Sequence, residues 1–185
     1  MPRKVASIWL TFALLILVSK PAHVMAETSE SATLSDVAEL FGLPFKGLAL
    51  SKLESRLKGM GLQSYPSYKS GVVSYSLGPE GILGVTNATI YFNSSKYVRQ
   101  VLLSGVVESN EKRKNLGELL GRKYGSPSEG FLNDGLGRSK WSFRDGTTID
   151  FRNTTYDVSV LYVDEQPKVT SRSGKIDVEA LSNKK

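Results

Sequence analysis

The sequence predicts an α+β fold made of two successive units, each a helix followed by a three-stranded antiparallel meander, with the helices packed on one face of the sheet or sheets. Two stretches carry apolar residues at helical spacing, and each is followed by stretches in which apolar and polar residues alternate. The order helix, three strands, helix, three strands favours antiparallel meanders over a parallel sheet. The pattern leaves open whether the two sets of strands form one sheet or two.

Residues 1–26 have the pattern of a cleaved secretory signal. A basic start precedes an apolar run over residues 5–18, which is shorter than the roughly 20 residues that a membrane-spanning helix needs. Val24 and Ala26 place small residues at the two positions that signal peptidase recognises. We therefore expect cleavage after Ala26, with an uncleaved anchor as the alternative. The expected destination is the periplasm, with an extracellular location as the alternative.

Cleavage after Ala26 changes the composition of the working molecule. His23, the only histidine, leaves with the signal, and the chain has no cysteine. Arg3, Lys4 and Lys20 leave too, so 24 basic residues become 21 against an unchanged 18 acidic ones, and the net charge falls from +6 to +3. Because so small a charge provides no concentrated basic face, we expect no nucleic-acid partner.

The absence of cysteine also bears on the compartment. A domain of about 160 residues can be stabilised by burial alone, without disulfides. Small extracellular animal domains are usually rich in cysteine, so the composition favours a Gram-negative periplasm. Three asparagines, Asn87, Asn93 and Asn153, stand in N-x-[ST] contexts, which are glycosylation sites in a eukaryotic secretory pathway. A glycosylated eukaryotic secreted protein is therefore a further alternative.

The first unit follows a flexible entry segment. A short helix is predicted over residues 35–41, before Gly42 and Pro44 break it. Ser51 and Glu54 form the capping-box pattern that begins a helix, and this second helix is expected to end at Gly61. Alternation then predicts strands around residues 73–77, 88–92 and 97–107, and the continuous apolar stretch 101–103 predicts that the third is covered on both faces.

The second unit begins with a helix over residues 111–124, followed by a loop over 126–138. Gly117 and Gly121 either weaken this helix or let another segment approach it closely. Asp145-Gly146 predicts a type I′ hairpin turn between the first two strands. Alternation predicts these strands around residues 141–143, 149–151 and 158–162. The predicted organisation is a signal at 1–26, an entry segment at 27–34, one domain at 35–164 and a disordered polar tail at 165–185.

The missing residue types exclude several catalytic mechanisms. Without histidine or cysteine, the mature chain cannot build a Ser-His-Asp triad, a cysteine nucleophile or the usual zinc sites, and we expect no metal and no cofactor. Paired carboxylates, as in glycoside hydrolases, are the remaining option. The candidate acids all have structural interpretations: Glu54 as a cap, Glu118 on a helix surface, Asp145 in a turn and Asp150 on the outward face of a strand. Ser109 matches an S-x-x-K spacing but is better interpreted as a helix cap.

The residues best suited to binding are aromatic or basic. Tyr65 and Tyr68 lie in a predicted loop that is hard to bury entirely, and tyrosine is enriched at protein interfaces. A basic ridge on the second long helix, which would meet an acidic partner, is predicted from Lys112, Arg113, Lys114, Arg122 and Lys123, with a solvated outer face as the alternative. The predicted binding residues are the two tyrosines and the first three of these cations.

Two short motifs carry a resemblance to known proteins. Residues 41–47, FGLPFKG, precede the first long helix, which runs into Met60-Gly61-Leu62, and residues 123–127, KYGSP, precede an aromatic strand. In both motifs the chain resembles a loose group of small exported Gram-negative proteins of unknown function, whose opening runs FG-hydrophobic-P-x-x-G. The element order is similar to that of β-lactamase inhibitory protein-like tandem modules and of small outer-membrane assembly lipoproteins. The resemblance implies no activity and no site residue.

The hypothesis that fits these observations best is a non-catalytic periplasmic binding protein. Its exposed sheet face or tyrosine-bearing loops would contact another envelope or secreted protein, with no membrane-embedded segment after cleavage. One specific form is an inhibitor or immunity-type protein that blocks a toxin or a wall-degrading enzyme. The alternative is a carboxylate-dependent enzyme that acts on peptidoglycan or another glycan.

Overall fold

The structure is a computed structural model that describes residues 34–65 and 67–170. The predicted signal, the entry segment up to residue 33 and the tail from residue 171 lie outside the described residues. The described chain is mostly β, with ten strands and two helices. The predicted α+β fold of two helix-plus-three-strand units was wrong, because each meander has a fourth strand and all eight strands join in one antiparallel sheet.

The chain starts with a two-stranded hairpin, β1 (Glu39–Leu40) and β2 (Leu43–Pro44), and helix α1 (Leu50–Gly59) follows. The first meander consists of β3 (Ser64–Tyr65), β4 (Val72–Ser76), β5 (Asn87–Phe92) and β6 (Val98–Val106). Helix α2 (Asn110–Tyr124) leads to the second meander, β7 (Glu129–Asn133), β8 (Leu136–Ser142), β9 (Thr147–Arg152) and β10 (Asp157–Asp164).

The two meanders meet at the centre of the sheet. The strand order is β3-β4-β5-β6-β10-β9-β8-β7. Strands β6 and β10 pair antiparallel, from Val106 opposite Asp157 to Gln100 opposite Val163. The last strand of each meander is therefore central, and the first strand of each, β3 or β7, is an edge.

One face of the sheet forms the core. Its fully or almost fully buried side chains alternate along the strands, as expected for a sheet covered on one side. They are Tyr75, Ala88, Ile90, Val101, Trp141, Ile149, Phe151, Val160 and Tyr162. Leu53 and Leu57 of α1 and Leu116 and Leu120 of α2 belong to the same core cluster. Neither helix of the described residues has the length and apolar character needed to cross a membrane.

The segment around the first helix differs from the prediction. Residues 35–41 do not form a helix, because β1 pairs with β2 instead. The predicted capping box was also wrong: Ala49 is the N-cap residue of α1, no side chain caps the helix there, and Ser51 lies inside the helix. The amide of Leu50 donates to the Lys96 carbonyl at 2.9 Å. A backbone carbonyl of the β5–β6 turn thus accepts from a free amide at the start of α1, which is the kind of hydrogen bond predicted for the Ser51 side chain.

The second helix matches the prediction more closely. Ser109 is its N-cap, and the Ser109 hydroxyl accepts a hydrogen bond from the Lys112 amide at 3.2 Å. The loop predicted over 126–138 contains β7, which pairs with β8. The residues of β7 do not alternate between buried and exposed, and its single glycine, Gly130, has a positive φ and lies against the Arg138 carbonyl. Loop composition therefore concealed an edge strand.

The turn between β8 and β9 is tight but is not the predicted type. Gly146 has a φ of 80°, whereas the φ of Asp145 is not positive. A type I′ turn needs a positive φ at both central residues. The Asp145 carboxylate instead accepts from the amide and the hydroxyl of Thr147, at 2.9 and 2.6 Å. The aspartate closes a longer turn as a side-chain acceptor.

Gly117 permits the close approach that was one of its two predicted roles. A Cβ atom there would overlap the Gly135 carbonyl oxygen. Next to this contact the fully buried Asn153 side chain donates to the carbonyls of Arg113 and Gly135, both at 2.8 Å. Its Oδ1 atom accepts from the Gly137 amide at 2.7 Å. Helix α2 and the β7–β8 hairpin are thus joined by a close backbone approach and by the Asn153 side chain, which bonds to backbone groups of both.

The first residues of the predicted tail are attached to the body of the protein. The Lys46 ammonium donates to the Gln166 carbonyl at 3.3 Å. The Asn93 amide group donates to the Lys168 carbonyl at 2.9 Å, and the Lys168 ammonium lies 5.7 Å from the centre of the Tyr97 ring. Gln166 and Lys168, at the start of the predicted tail, therefore contact the body of the domain.

Candidate binding surface

The candidate site is the face of the sheet opposite the core, which we call the open face. Cross-strand register aligns its side chains in three rows. The central row is Tyr65, Ser74, Thr89, Leu102, Leu161, Asp150, Lys140 and Glu129. One flanking row is Val72, Tyr91, Gln100, Val163, Thr148 and Ser142, and the other is Ser76, Asn87, Ser104, Ser159, Arg152, Arg138 and Phe131. All of these residues are exposed or half-buried.

The centre of the open face is apolar. Leu102 and Leu161 lie opposite each other across the β6–β10 pair. Val163 lies in the next row, in line with Tyr91. Side chains in such cross-strand positions contact one another. The strand predicted to be covered on both faces thus has one partly open face, and its continuous apolar run supplies the centre of this surface.

The β7–β9 end of the open face is charged. The Arg152 guanidinium lies 3.4 Å from the Asp150 carboxylate, and the Lys140 ammonium lies 3.5 Å from the Glu129 carboxylate. Exposed ion pairs of this kind contribute little to stability. With the exposed Arg138 beside them, these side chains are available to orient a partner more than to stabilise the fold.

The opposite end of the open face is rich in hydroxyl groups and ends in an aromatic ring. Ser74 and Thr89 lie within 3.4 Å of each other through their oxygens. Tyr65, half exposed, ends the central row on the edge strand β3. From strand spacing, the eight strands span about 34 Å and the three rows cover roughly 700 Å². A typical protein interface buries about 800 Å² per partner.

The two predicted tyrosines have different positions. Tyr65 belongs to the open face, as described above. Tyr68 lies between β3 and β4, and its side chain is fully exposed. The exposed-tyrosine prediction therefore identified one end of the candidate surface, with Tyr68 in the loop next to it.

The first three residues of the predicted basic ridge make separate contacts. Lys112 pairs with Glu80 at 3.3 Å, whereas Lys114 pairs with Asp134 at 2.7 Å. The Arg113 guanidinium stacks on the Tyr156 ring, 5.2 Å from its centre. The hydrogen bond and the charge of Lys114 lower the pKa of Asp134. Because successive helix positions point in different directions, these cations serve three separate local contacts.

Three of the four carboxylates considered for catalysis are engaged in other contacts. Asp145 closes the β8–β9 turn, and Asp150 pairs with Arg152. Glu118 pairs with Arg122 one helical turn later, at 3.5 Å. In residues 34–65 and 67–170 no three His, Cys, Asp or Glu side chains are grouped closely enough to hold a metal ion. Asn153, one of the possible glycosylation sites, is buried, whereas Asn87 is exposed.

Sequence reasoning missed the apolar centre of this surface. Leu102, Leu161 and Val163 alternate with core residues, and alternation alone does not say which face of a central strand is covered. Tyr91 was not among the predicted binding residues. A signal was present in the β6 run, where consecutive apolar residues imply that both faces carry apolar side chains.

Comparison of the chain with protein-family models, with curated proteins and with solved structures found no match. The resemblance to small exported Gram-negative proteins and to tandem helix-plus-sheet modules therefore stays a prediction.

Proposed function

We propose that the chain is a non-catalytic binding protein of the periplasm, and that the open face docks onto another envelope or secreted protein. The observation that carries this proposal is the open face itself, an eight-stranded surface with an apolar and tyrosine-bearing centre and a charged end. Surfaces of this composition, with aromatic and arginine side chains around an apolar centre, are typical of protein interfaces.

The shape of the open face supports a protein partner over a small ligand. Small-molecule sites are concave and enclose most of the ligand. The open face is instead a broad three-row surface whose estimated area is close to one side of a standard interface. An inhibitor or immunity-type role is the specific form of the proposal, because such a surface can cover the functional region of another protein.

Site-specific photo-cross-linking in the producing cells tests this proposal. A cross-linking amino acid at Gln100 or Thr148, both half-buried on the open face, is expected to give one discrete adduct, identified by mass spectrometry. The same amino acid at the exposed Lys58 of α1 is the matched control and is expected to give no such adduct. Equal adducts from the open face and from Lys58, or none from either, would argue against the proposal.

The adduct partner then allows a quantitative test. Leu161→Asp at the centre of the open face is expected to weaken binding of the purified partner about 30-fold, since a central interface residue is typically worth about 2 kcal/mol. Met60→Asp, at an exposed apolar residue just beyond α1, is expected to leave affinity unchanged. The same affinity for both variants would remove the open face from the interface.

An enzyme assay distinguishes the proposed binding protein from the glycan-enzyme alternative. Purified protein is expected to release no sugar fragments from peptidoglycan, and release abolished by Asp150→Asn without loss of folding would favour the enzyme instead.

Cell fractionation with mass spectrometry of the N-terminus is expected to find a periplasmic chain that begins at Glu27. An intact leader would contradict the export part of the proposal.

A further inference from the structure

A second candidate site lies on the core side of the sheet, away from the open face. It is a cleft of about 280 Å³ between the β1–β2 hairpin, α2 and the buried face of the sheet. Leu77, Val160 and Tyr162 of the sheet side, and Leu116, Leu119 and Leu120 of α2, line its apolar walls. An apolar pocket with a few polar groups is the usual form of a small-molecule site.

Two tight turns border this cleft in an unusual conformation. Phe41 and Gly42 link β1 to β2 with φ angles of 50° and 77°. Leu83 and Gly84, between the bridged residues Ile82 and Val85, have φ angles of 50° and 87°. A positive φ is strained for a bulky side chain, and such turns usually carry asparagine or aspartate at this position.

Both of these positive-φ turns lie next to apolar side chains that line the cleft. Phe41 and Gly42 of the first turn line the cleft, and so do Ile82 and Val85, which flank the second turn. The Arg56 side chain fixes the first turn by donating to the Phe41 carbonyl at 2.9 Å. Strained residues cluster at ligand sites more often than elsewhere, since the surrounding structure must hold them there.

One corner of the cleft is polar and has no net charge. The Glu39 carboxylate and the Lys123 ammonium are 2.8 Å apart, and both side chains are about one-third exposed. The Tyr124 hydroxyl donates to the Glu39 carbonyl at 3.0 Å and accepts from the Glu39 amide at 3.2 Å. Burial raises the pKa of Tyr162 well above its usual value, with smaller contributions from Tyr124 and Glu39. Tyr162 therefore stays a neutral phenol near this corner.

We propose that this cleft binds a medium-length aliphatic chain with an uncharged hydrogen-bonding head, such as an alcohol or an acyl ester. The size of the cleft sets the length, because 280 Å³ holds roughly nine non-hydrogen atoms at liquid-like volume. The corner sets the head group. An anionic head would have to compete with Glu39 for Lys123, whereas a hydroxyl or ester can bond to the intact pair.

The inference is independent of the proposed function, since it concerns the opposite face of the sheet. The test is titration calorimetry of the purified full chain with straight-chain alcohols from hexanol to dodecanol. Affinity is expected to rise about fourfold per methylene group up to octanol, with one site per chain, and then to stop rising. Octanoate is expected to bind more weakly than octanol.

Two rim variants and one charge variant localise the binding. Ile82→Trp is expected to weaken octanol binding at least tenfold by filling the entrance, and Leu119→Trp repeats the test from α2. Met60→Trp is the matched control, because Met60 and Ile82 are similarly exposed, at 41% and 37%, and Met60 does not line the cleft. Glu39→Gln leaves Lys123 without its partner and is expected to shift the preference toward octanoate.

Several results would overturn the inference. They are no saturable binding at any chain length, affinity that rises steadily through dodecanol, and equal binding by wild type and both rim variants. Octanol binding that appears only after deletion of residues 171–185 would assign the cleft to the chain's own C-terminal segment.

A methyl ester that binds as well as the alcohol of equal length would identify an acyl ester as a possible source of the ligand, whereas weaker ester binding would restrict the head to a hydroxyl.

Discussion

The two halves of the sheet have the same order of elements but are joined to their helices differently. In the first half, α1 precedes β3–β6 and contributes three buried leucines, Leu50, Leu53 and Leu57. In the second half, α2 precedes β7–β10 and is additionally held by backbone contact between Gly117 and Gly135. The buried Asn153 side chain reinforces that contact.

This difference shows that one arrangement can be stabilised by two kinds of interaction. The side chains of α1 are held mainly by non-directional apolar burial, which tolerates small shifts of the helix. Helix α2 is also held by the close contact between the Gly117 and Gly135 backbones and by hydrogen bonds from Asn153. These contacts fix the distance and the direction of its neighbours. Substitutions that test each type of contact should therefore have different signatures in the two halves.

The largest effect is expected for Gly117→Ala. The added methyl group would overlap a backbone oxygen that cannot rotate away, so α2 must move, and we expect a loss of about 4 kcal/mol, above the usual range for overpacking. Gly121→Ala is the matched control, since its nearest neighbour would be Leu132 Cδ1 at 4.0 Å. It should instead stabilise the helix by roughly 0.5–1 kcal/mol. Chemical denaturation measures both, and equal effects would refute the close-approach interpretation.

Leu53→Ala tests the first half. Leu53 is fully buried, and truncation of such a leucine leaves a cavity and costs about 3 kcal/mol. Met60→Ala, at an exposed apolar residue near the same helix, should change the unfolding free energy by less than about 0.5 kcal/mol. A small effect of Leu53→Ala in the same denaturation assay would show that apolar burial does not hold α1.

Asn153→Ala tests the polar connection of the second half. It leaves the Gly137 amide and the Gly135 carbonyl without their side-chain partner, and we expect a loss of about 2 kcal/mol. Asn133→Ala on the exposed edge strand β7 is the control and should be nearly neutral. Hydrogen exchange should locate the opening in α2 and the β7–β8 hairpin, and uniform exchange across both halves would contradict this localisation.

The smallest effect concerns the pH dependence of stability, and it involves Tyr162 on β10, the strand that pairs with β6 where the two halves of the sheet meet. Tyr162 on β10 has its pKa raised by burial, so the folded state holds the phenolic proton more tightly than the unfolded state. Stability from this group is fully present below the ordinary tyrosine pKa of about 10 and is lost as pH rises through the higher folded value. Tyr162→Phe should flatten the alkaline decrease in stability, and an unchanged pH profile would show that Tyr162 is not its source.

Much of the local structure was predictable because its causes are local. Alternation identified six of the strands, and Ser109 was correctly assigned as the N-cap of α2. The predicted helix over 35–41 failed because the positive φ values at Phe41 and Gly42 permit a hairpin there. Strand β7 was missed because the segment that contains it, residues 126–138, is rich in glycine and serine and so has the composition of a loop.

The candidate surface was predictable only in part. Tyr65 was selected for its exposure, and it lies at the end of the central row. Leu161 and Asp150 are adjacent in that row although they come from different strands. That adjacency depends on register, which a single strand does not encode. The basic residues of α2 were grouped by sequence proximity, and their separate ion pairs show that proximity along a helix does not place side chains together.

The sequence by itself determined six of the strands and the two long helices, because propensity and periodicity act over a few residues. The tertiary structure alone decided that β6 pairs with β10, which joins two meanders into one sheet with one open face. It also decided that Ala49 rather than Ser51 begins α1, through the backbone contact with Lys96. Hydrogen bonds between distant strands and turns form only when the whole chain is in place, so no local pattern can specify them.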